Sequence, residues 1–222
     1  MRTFIFCTSF IGGDPEKHGA ARYERWVKYY LPMLRELQVE RMFLIDDGGN
    51  YEGDINVISG ALPDEVNDLI NIYRFDETLG RRSMMDFPGW WRSFLFSIEI
   101  AKKYGYDRIV HVESDFFVLS DRLKEYIRNV ESGWTSMYSA HYNMPESGIQ
   151  IICKDAFDIF TAFKEKHLNA DYKMEQYAEL LLPFTNVNQS FVGDRLGNKR
   201  VINGYITKAP ALLAKLDYIG QV

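Results

Sequence analysis

Uncharged strand-like runs, spaced by amphipathic helical patterns, restrict the possible folds of this chain most. Thr3-Phe4-Ile5-Phe6-Cys7-Thr8-Ser9-Phe10 is β-branched and aromatic throughout, and Arg41-Met42-Phe43-Leu44-Ile45 and Arg108-Ile109-Val110-His111-Val112 are similar. A strand with one face in water alternates polar and apolar residues. Runs like these belong to a sheet covered on both faces. Between the first two, Tyr23, Trp26, Val27, Tyr30, Leu31, Leu34 and Leu37 recur at helical spacing, with Pro32 expected to kink or split the helix. Before the third, Trp91, Phe94, Leu95, Ile98 and Ala101 mark a helix from Trp90 to Tyr104 that Gly105 should stop. Alternation of this kind through residue 120 predicts an α/β fold with a mixed, mostly parallel sheet flanked by helices.

The remaining elements are less regular. A short strand is expected at Ile55 to Ser59, a helix around Pro63 to Ile70, and a strand at Ile70 to Phe75. A loop carrying Arg81 and Arg82 spans Thr78 to Gly89. Ser120 or Asp121 should start a helix to about Val130. Trp134 to Ser139 and Gly148 to Cys153 read as strands around a loop holding His141, Asn143 and Glu146. Helices follow at Asp155 to Lys166 and Lys173 to Leu182, the second halted by Pro183. The tail offers β-like pieces at Gln189 to Val192 and Arg200 to Ile206, then a short helix near Pro210. No repeat or linker interrupts the chain, and residues 1–222 are expected to form a single domain.

Composition narrows the function classes. The 222 residues are 46% hydrophobic and 15% aromatic, ample for a core. A net charge of −5 argues against a general nucleic-acid binder, which needs a basic face. Cys7 and Cys153 are isolated in apolar runs and read as buried thiols, while His18, His111, His141 and His167 form no zinc-type cluster. No window reaches the apolar length of a transmembrane segment, and the start does not resemble a secretory leader. A soluble, cytoplasmic protein is expected, with peripheral contact at a membrane-borne acceptor left open.

Chemistry concentrates where strands end. The run from Arg108 closes in Glu113-Ser114-Asp115, whose two acids leave an extended chain on the same side and can face one ligand. The run from Arg41 closes in Asp46-Asp47-Gly48-Gly49, either an Asx turn or a ligand site, since ligands of open α/β sheets gather at the strands' carboxyl ends. A divalent cation, Mn²⁺ or Mg²⁺, bridging carboxylates to a substrate's phosphates would compensate such converging acids. Motifs for other chemistries are missing: no G-x-G-x-x-G, no P-loop, no G-x-S-x-G and no H-E-x-x-H.

Taken together, a first strand ending in the small polar Thr8 and Ser9, a second ending in Leu-Ile-Asp-Asp-Gly-Gly, a helix with Arg92 in its first turn, and Arg-Ile-Val-His-Val-Glu-Ser-Asp resemble the nucleotide-binding half of GT-A fold glycosyltransferases. The match spans about residues 3–121, which makes about 1–121 the nucleotide-sugar-binding half and about 122–222 an acceptor-binding half. The resemblance implies a Rossmann-like GT-A domain moving a sugar from a nucleoside-diphosphate donor, UDP- or GDP-type, to a carbohydrate, lipid-linked or glycoprotein acceptor. It places Asp46 or Asp47 on the nucleobase or ribose. Glu113-Ser114-Asp115 stands at the D-x-D motif, with Asp115 on the metal and Glu113 on the ribose or a metal-bound water. Arg82 or Arg92 would face the diphosphate, and Asp217 would be a late metal ligand. Glu146, Glu175 and Asp194 are the candidates for a base on the acceptor. Two alternatives remain: a metal-dependent phosphohydrolase or nucleotidyltransferase using the same acids, and a silent GT-A-like module that binds a glycan or a partner.

Overall fold

A computed structural model describes residues 1–9, 19–50, 53–83, 85–167, 172, 174, 176–195 and 215–220. Strands β1 (Thr3–Ser9), β2 (Arg41–Asp46), β3 (Asn56–Ser59), β4 (Ile70–Arg74) and β5 (Arg108–Val112) lie parallel in the order β3-β4-β2-β1-β5. β8 (Met144–Cys153) extends the sheet antiparallel to β5, followed by β7 (Trp134–Ser139) and β9 (Asn186–Asn188). This is the expected α/β architecture, a large and mostly parallel sheet between helices.

The unbroken apolar runs follow from cover on both faces. Ile5, Cys7, Met42, Leu44, Val110 and Val112 pack under Tyr23, Trp26 and Tyr30 of α1 (Gly19–Tyr30) and Leu123 and Ile127 of α3 (Asp121–Asn129). The alternate residues Phe4, Phe6, Phe43, Ile45 and Ile109 pack under Trp91, Phe94 and Ile98 of α2 (Pro88–Tyr104) and Phe157 and Phe160 of α4 (Phe157–His167). Pro32 sits in the short 3-10 turn Leu31–Met33 that ends the first helix, as its missing N–H requires. Gly105 closes α2 at φ +65°.

Several expectations fail for physical reasons. No helix forms around Pro63 to Ile70, because the segment is short and Ile70 already pairs with Met42 in β4. Glu146 belongs to no loop: β8 begins at Met144, so Glu146 is a buried strand residue. The expected helix from Lys173 is described only as α5 (Ala178–Leu181). The strand expected at Gln189 to Val192 is instead a break between β9 and β10 (Gly193–Asp194). The pieces at 200–206 and near Pro210 lie outside the described residues.

One unanticipated element shapes the site. Beyond the acids, Phe117–Val118 form β6, which pairs antiparallel with β11 (Tyr218–Ile219), itself parallel to β10. This small sheet returns the C-terminal residues to the acidic turn.

Candidate active site

The carboxyl ends of β1, β2 and β5 meet at one edge. Ser9 is in register with Asp46 on β2, and Phe6 with His111 on β5, so the strand exits carrying Thr8, Asp46 and Glu113 are neighbours. The turn after β5 is tight: the Phe116 N–H donates to the Glu113 carbonyl at 2.9 Å, and the Glu113 N–H donates to the Gly148 carbonyl at 2.9 Å. Aromatic residues of α1 hold it from below. The Trp26 indole donates to the Val112 carbonyl (3.1 Å), while the Tyr30 hydroxyl donates to the Phe116 carbonyl (3.1 Å) and accepts from the Val118 N–H (3.0 Å). The Phe116 ring lies between two glycines. A Cβ would come within 2.6 Å of it at Gly148 and 2.4 Å at Gly220.

The two acids of the turn differ in their surroundings. Glu113 accepts from the Thr8 hydroxyl, which lies 2.9 and 3.1 Å from its two oxygens, and from the Trp90 indole; His111 Nε2 stands 3.1 Å away, off the hydrogen-bond line. Burial opposes its charge, yet the imidazole, indole and hydroxyl together hold its carboxyl below the usual range. Asp115 is only partly buried and pairs loosely with Arg22 at 3.8 Å. Desolvation pushes its pKa up, Arg22 pulls it back, and the Glu113 charge adds to the rise. Asp115 is therefore the acid with room for a cation. Glu113 could ligate one only by releasing its present donors. Ser114 is buried between them.

At the end of β2, Asp46 accepts from the Gly49 N–H (3.1 Å) and the Arg74 guanidinium (3.3 Å), an Asx-type turn reinforced by a charge. Asp47 accepts from the Leu79 and Gly80 N–H groups at 3.2 and 2.7 Å and pairs with Arg92, which also donates to the Glu77 carbonyl. Asp47 and Arg92 thus fasten the loop at residues 77–80 to the sheet. Arg92, expected to face a diphosphate, is engaged in this internal role among the described residues. The Arg82 side chain is exposed and pairs with no described residue, whereas Arg22, not singled out in the sequence, stands beside Asp115.

Asp217 also has another role. Its oxygens accept from Ser120 Oγ (2.6 Å), the Arg122 guanidinium (Nε 2.6 Å) and the Val192 N–H (2.7 Å), so no lone pair is left pointing to a metal. Burial works against its charge, but these donors hold it below the usual range. Glu113, Asp115 and Asp217 do not converge, and the described residues contain no group of three acids, histidines or cysteines placed to share an ion.

Of the candidate bases, Glu175 lies outside the described residues. Asp194 is partly buried on β10, with its carbonyl accepting from the Gly220 N–H at 2.8 Å. Glu146 is fully buried; one oxygen accepts from the Gly148 N–H (3.1 Å) and stands 3.6 Å from Arg195 Nε, and the other has no hydrogen bond among the described residues. Desolvation, moderated by Arg195, raises its pKa to about 7. Sequence reasoning missed Trp26, Tyr30, His111, Glu179 and Arg195. The signal for the first two was available, because a buried indole or phenol on an apolar helix face needs a polar partner.

No protein-family model matches the chain, and no curated protein resembles it closely enough in sequence to count as a relative. Among solved structures, a glycosyltransferase involved in the glycosylation of the major capsid of PBCV-1 superposes over 100% of this chain and 94% of its own, with TM-score 0.52 and 10% identity. At that identity the likeness establishes a shared fold. A Bacillus anthracis protein assigned as a glucose-1-phosphate thymidylyltransferase (TM-score 0.46, 11% identity, 81% of this chain and 80% of that one) superposes more loosely. So does HddC from Yersinia pseudotuberculosis (0.43, 13%, 85% and 91%).

Proposed function

We propose that this chain is a metal-dependent glycosyltransferase that moves a sugar from a nucleoside-diphosphate donor, UDP- or GDP-type, to a hydroxyl of a glycan, lipid-linked or protein acceptor. One observation carries the reading. Of the acids at the strands' carboxyl edge, Asp115 is the one that is partly exposed and accepts from no side chain of another element among the described residues, and it stands beside a cation, Arg22, on a fold shared end to end with a glycosyltransferase. Mg²⁺ and Mn²⁺ sites often use one or two carboxylates and leave the rest of the shell to phosphates and water, so Asp115 fits as the protein ligand. A bound cation would supply charge stabilisation to the departing diphosphate.

The other residues have distinct tasks in this reading. Arg22 offsets the charge that develops on the leaving diphosphate, a duty the sequence had given to Arg82 or Arg92. Glu113 orders Thr8 and Trp90 at the sheet's carboxyl edge, and its carboxylate faces the donor's ribose. Asp46 shapes the nucleoside end through the turn it closes. Glu146, buried and with one oxygen that has no hydrogen bond among the described residues, is assigned the proton of the acceptor hydroxyl.

The test is turnover of a donor panel, reading nucleoside-diphosphate release with Mn²⁺, with Mg²⁺ and after chelation. The expected result is metal-dependent release from one donor class, lowered by at least about 100-fold in Asp115→Asn, the scale on which electrostatic catalysis of a developing anion is lost. Release that ignores chelation and survives Asp115→Asn would overturn the assignment.

A further inference from the structure

Three charged side chains from distant parts of the chain converge behind β8. Glu146 lies on β8, Glu179 on α5, and Arg195 just past β10. Arg195 Nη2 donates to Glu179 Oε1 at 2.5 Å, and Glu179 Oε1 also accepts from Ser147 Oγ at 2.7 Å. The same guanidinium reaches Glu146 only through Nε at 3.6 Å, where Nε has no hydrogen bond among the described residues. Both carboxylates are buried, at 0% and 5% exposure, so one positive charge serves two acids. In a low-dielectric setting that leaves Glu146, the acid without the close pairing, as the one that binds and releases a proton.

We propose that Arg195 and Glu179 are positioning residues for Glu146: Glu179 holds the guanidinium away, leaving Glu146 with one unpartnered oxygen and able to take or hold a proton beside Asp115. This rests on the glycosyltransferase reading for the proton's source, an acceptor hydroxyl, but the charge sharing stands without it. The groups facing Glu146 are Arg195, Glu179 on α5, Asp115 from the turn after β5 and Tyr218 on β11. Tyr142 stacks on Arg195 at 5.9 Å from the other side. Asp115 adds repulsion, and burial pushes the Tyr218 phenol up, so it stays neutral.

A carboxyl-labelled NMR titration of the full chain, with the Glu146 resonance identified by its loss in Glu146→Gln, tests the coupling independently of any activity. In Glu179→Gln the guanidinium is released to Glu146 and a negative charge is removed, so the Glu146 midpoint should fall by at least about one pH unit. In Arg195→Gln it should rise by a similar amount. If Arg195→Gln does not fold, Glu179→Gln alone decides. An unmoved midpoint overturns the inference. The acid limb of the transfer rate against pH should move with the resonance. If the resonance moves and the limb does not, the coupling stands and Glu146 loses its place as proton acceptor.

Discussion

At the scale of single residues, acids that look alike in sequence carry opposite burdens. Asp217 is tied to Ser120, Arg122 and Val192, and Asp217→Asn turns one acceptor oxygen into a donor, so that with the amide nitrogen at Oδ2 one of the two Arg122 bonds and the Val192 N–H lose their acceptor. A loss of roughly 1–3 kcal/mol is expected in chemical denaturation, reduced from the fully buried case because Arg122 is half-exposed. Asp115→Asn removes a charge repelled by Glu113 and should leave stability unchanged or slightly raised while turnover collapses. The two variants should therefore separate in a plot of activity against stability. Glu146 supplies a pH signature. Its folded pKa of about 7 stands above the ordinary glutamate value of 4.5, so the folded state binds the extra proton. That contribution is full below about pH 4.5 and is lost as pH rises through about 7. Thermal melts should show Glu146→Gln gaining on the wild type by roughly 2–3 kcal/mol between pH 5 and pH 8.

At the scale of elements, the acidic turn is held by its neighbours more than by its own residues. Tyr30→Phe removes both hydrogen bonds to the backbone around Phe116 and should cost about 1–3 kcal/mol in a denaturant melt, with a fall in turnover larger than the stability loss explains. Gly220→Ala forces a methyl against a ring already packed on Gly148, so Phe116 and with it Asp115 must move. Reduced donor affinity is expected from calorimetry, even under conditions where the variant stays folded. The alternation of uncharged strands with amphipathic helices was enough to place β1, β2, β5, α1 and α2, because burial on both faces leaves a pattern that local sequence records. It could not place Glu146 in a strand, which depends on its pairing with Met137 beside a bulge, or anticipate β6 and β11, whose pairing joins residues about a hundred positions apart. For the same reason the donors that saturate Glu113, Asp47 and Asp217 were invisible. Thr8, Trp90 and Arg122 each reach their acid from another element, and no spacing rule links them.

At the scale of the whole molecule, the parallel half of the sheet carries the acidic edge, with β8, β10 and β11 closing on it from the C-terminal half. Gly148 bonds the acidic turn and Gly220 packs on it, so the two halves share one set of contacts. No helix among the described residues is long and apolar enough to cross a membrane. The fold shared with a glycosyltransferase involved in the glycosylation of the major capsid of PBCV-1 extends over the full chain. The central claim is that Asp115 holds a divalent cation together with the donor's diphosphate. Titrating Mn²⁺ by electron paramagnetic resonance, with and without nucleoside diphosphate, tests it most directly. The wild type and Asp217→Asn should bind Mn²⁺ at least about 10-fold more tightly when the diphosphate is present, as linked ligands must, and Asp115→Asn should show no such gain. Equal Mn²⁺ binding by wild type and Asp115→Asn in the presence of diphosphate would contradict the account.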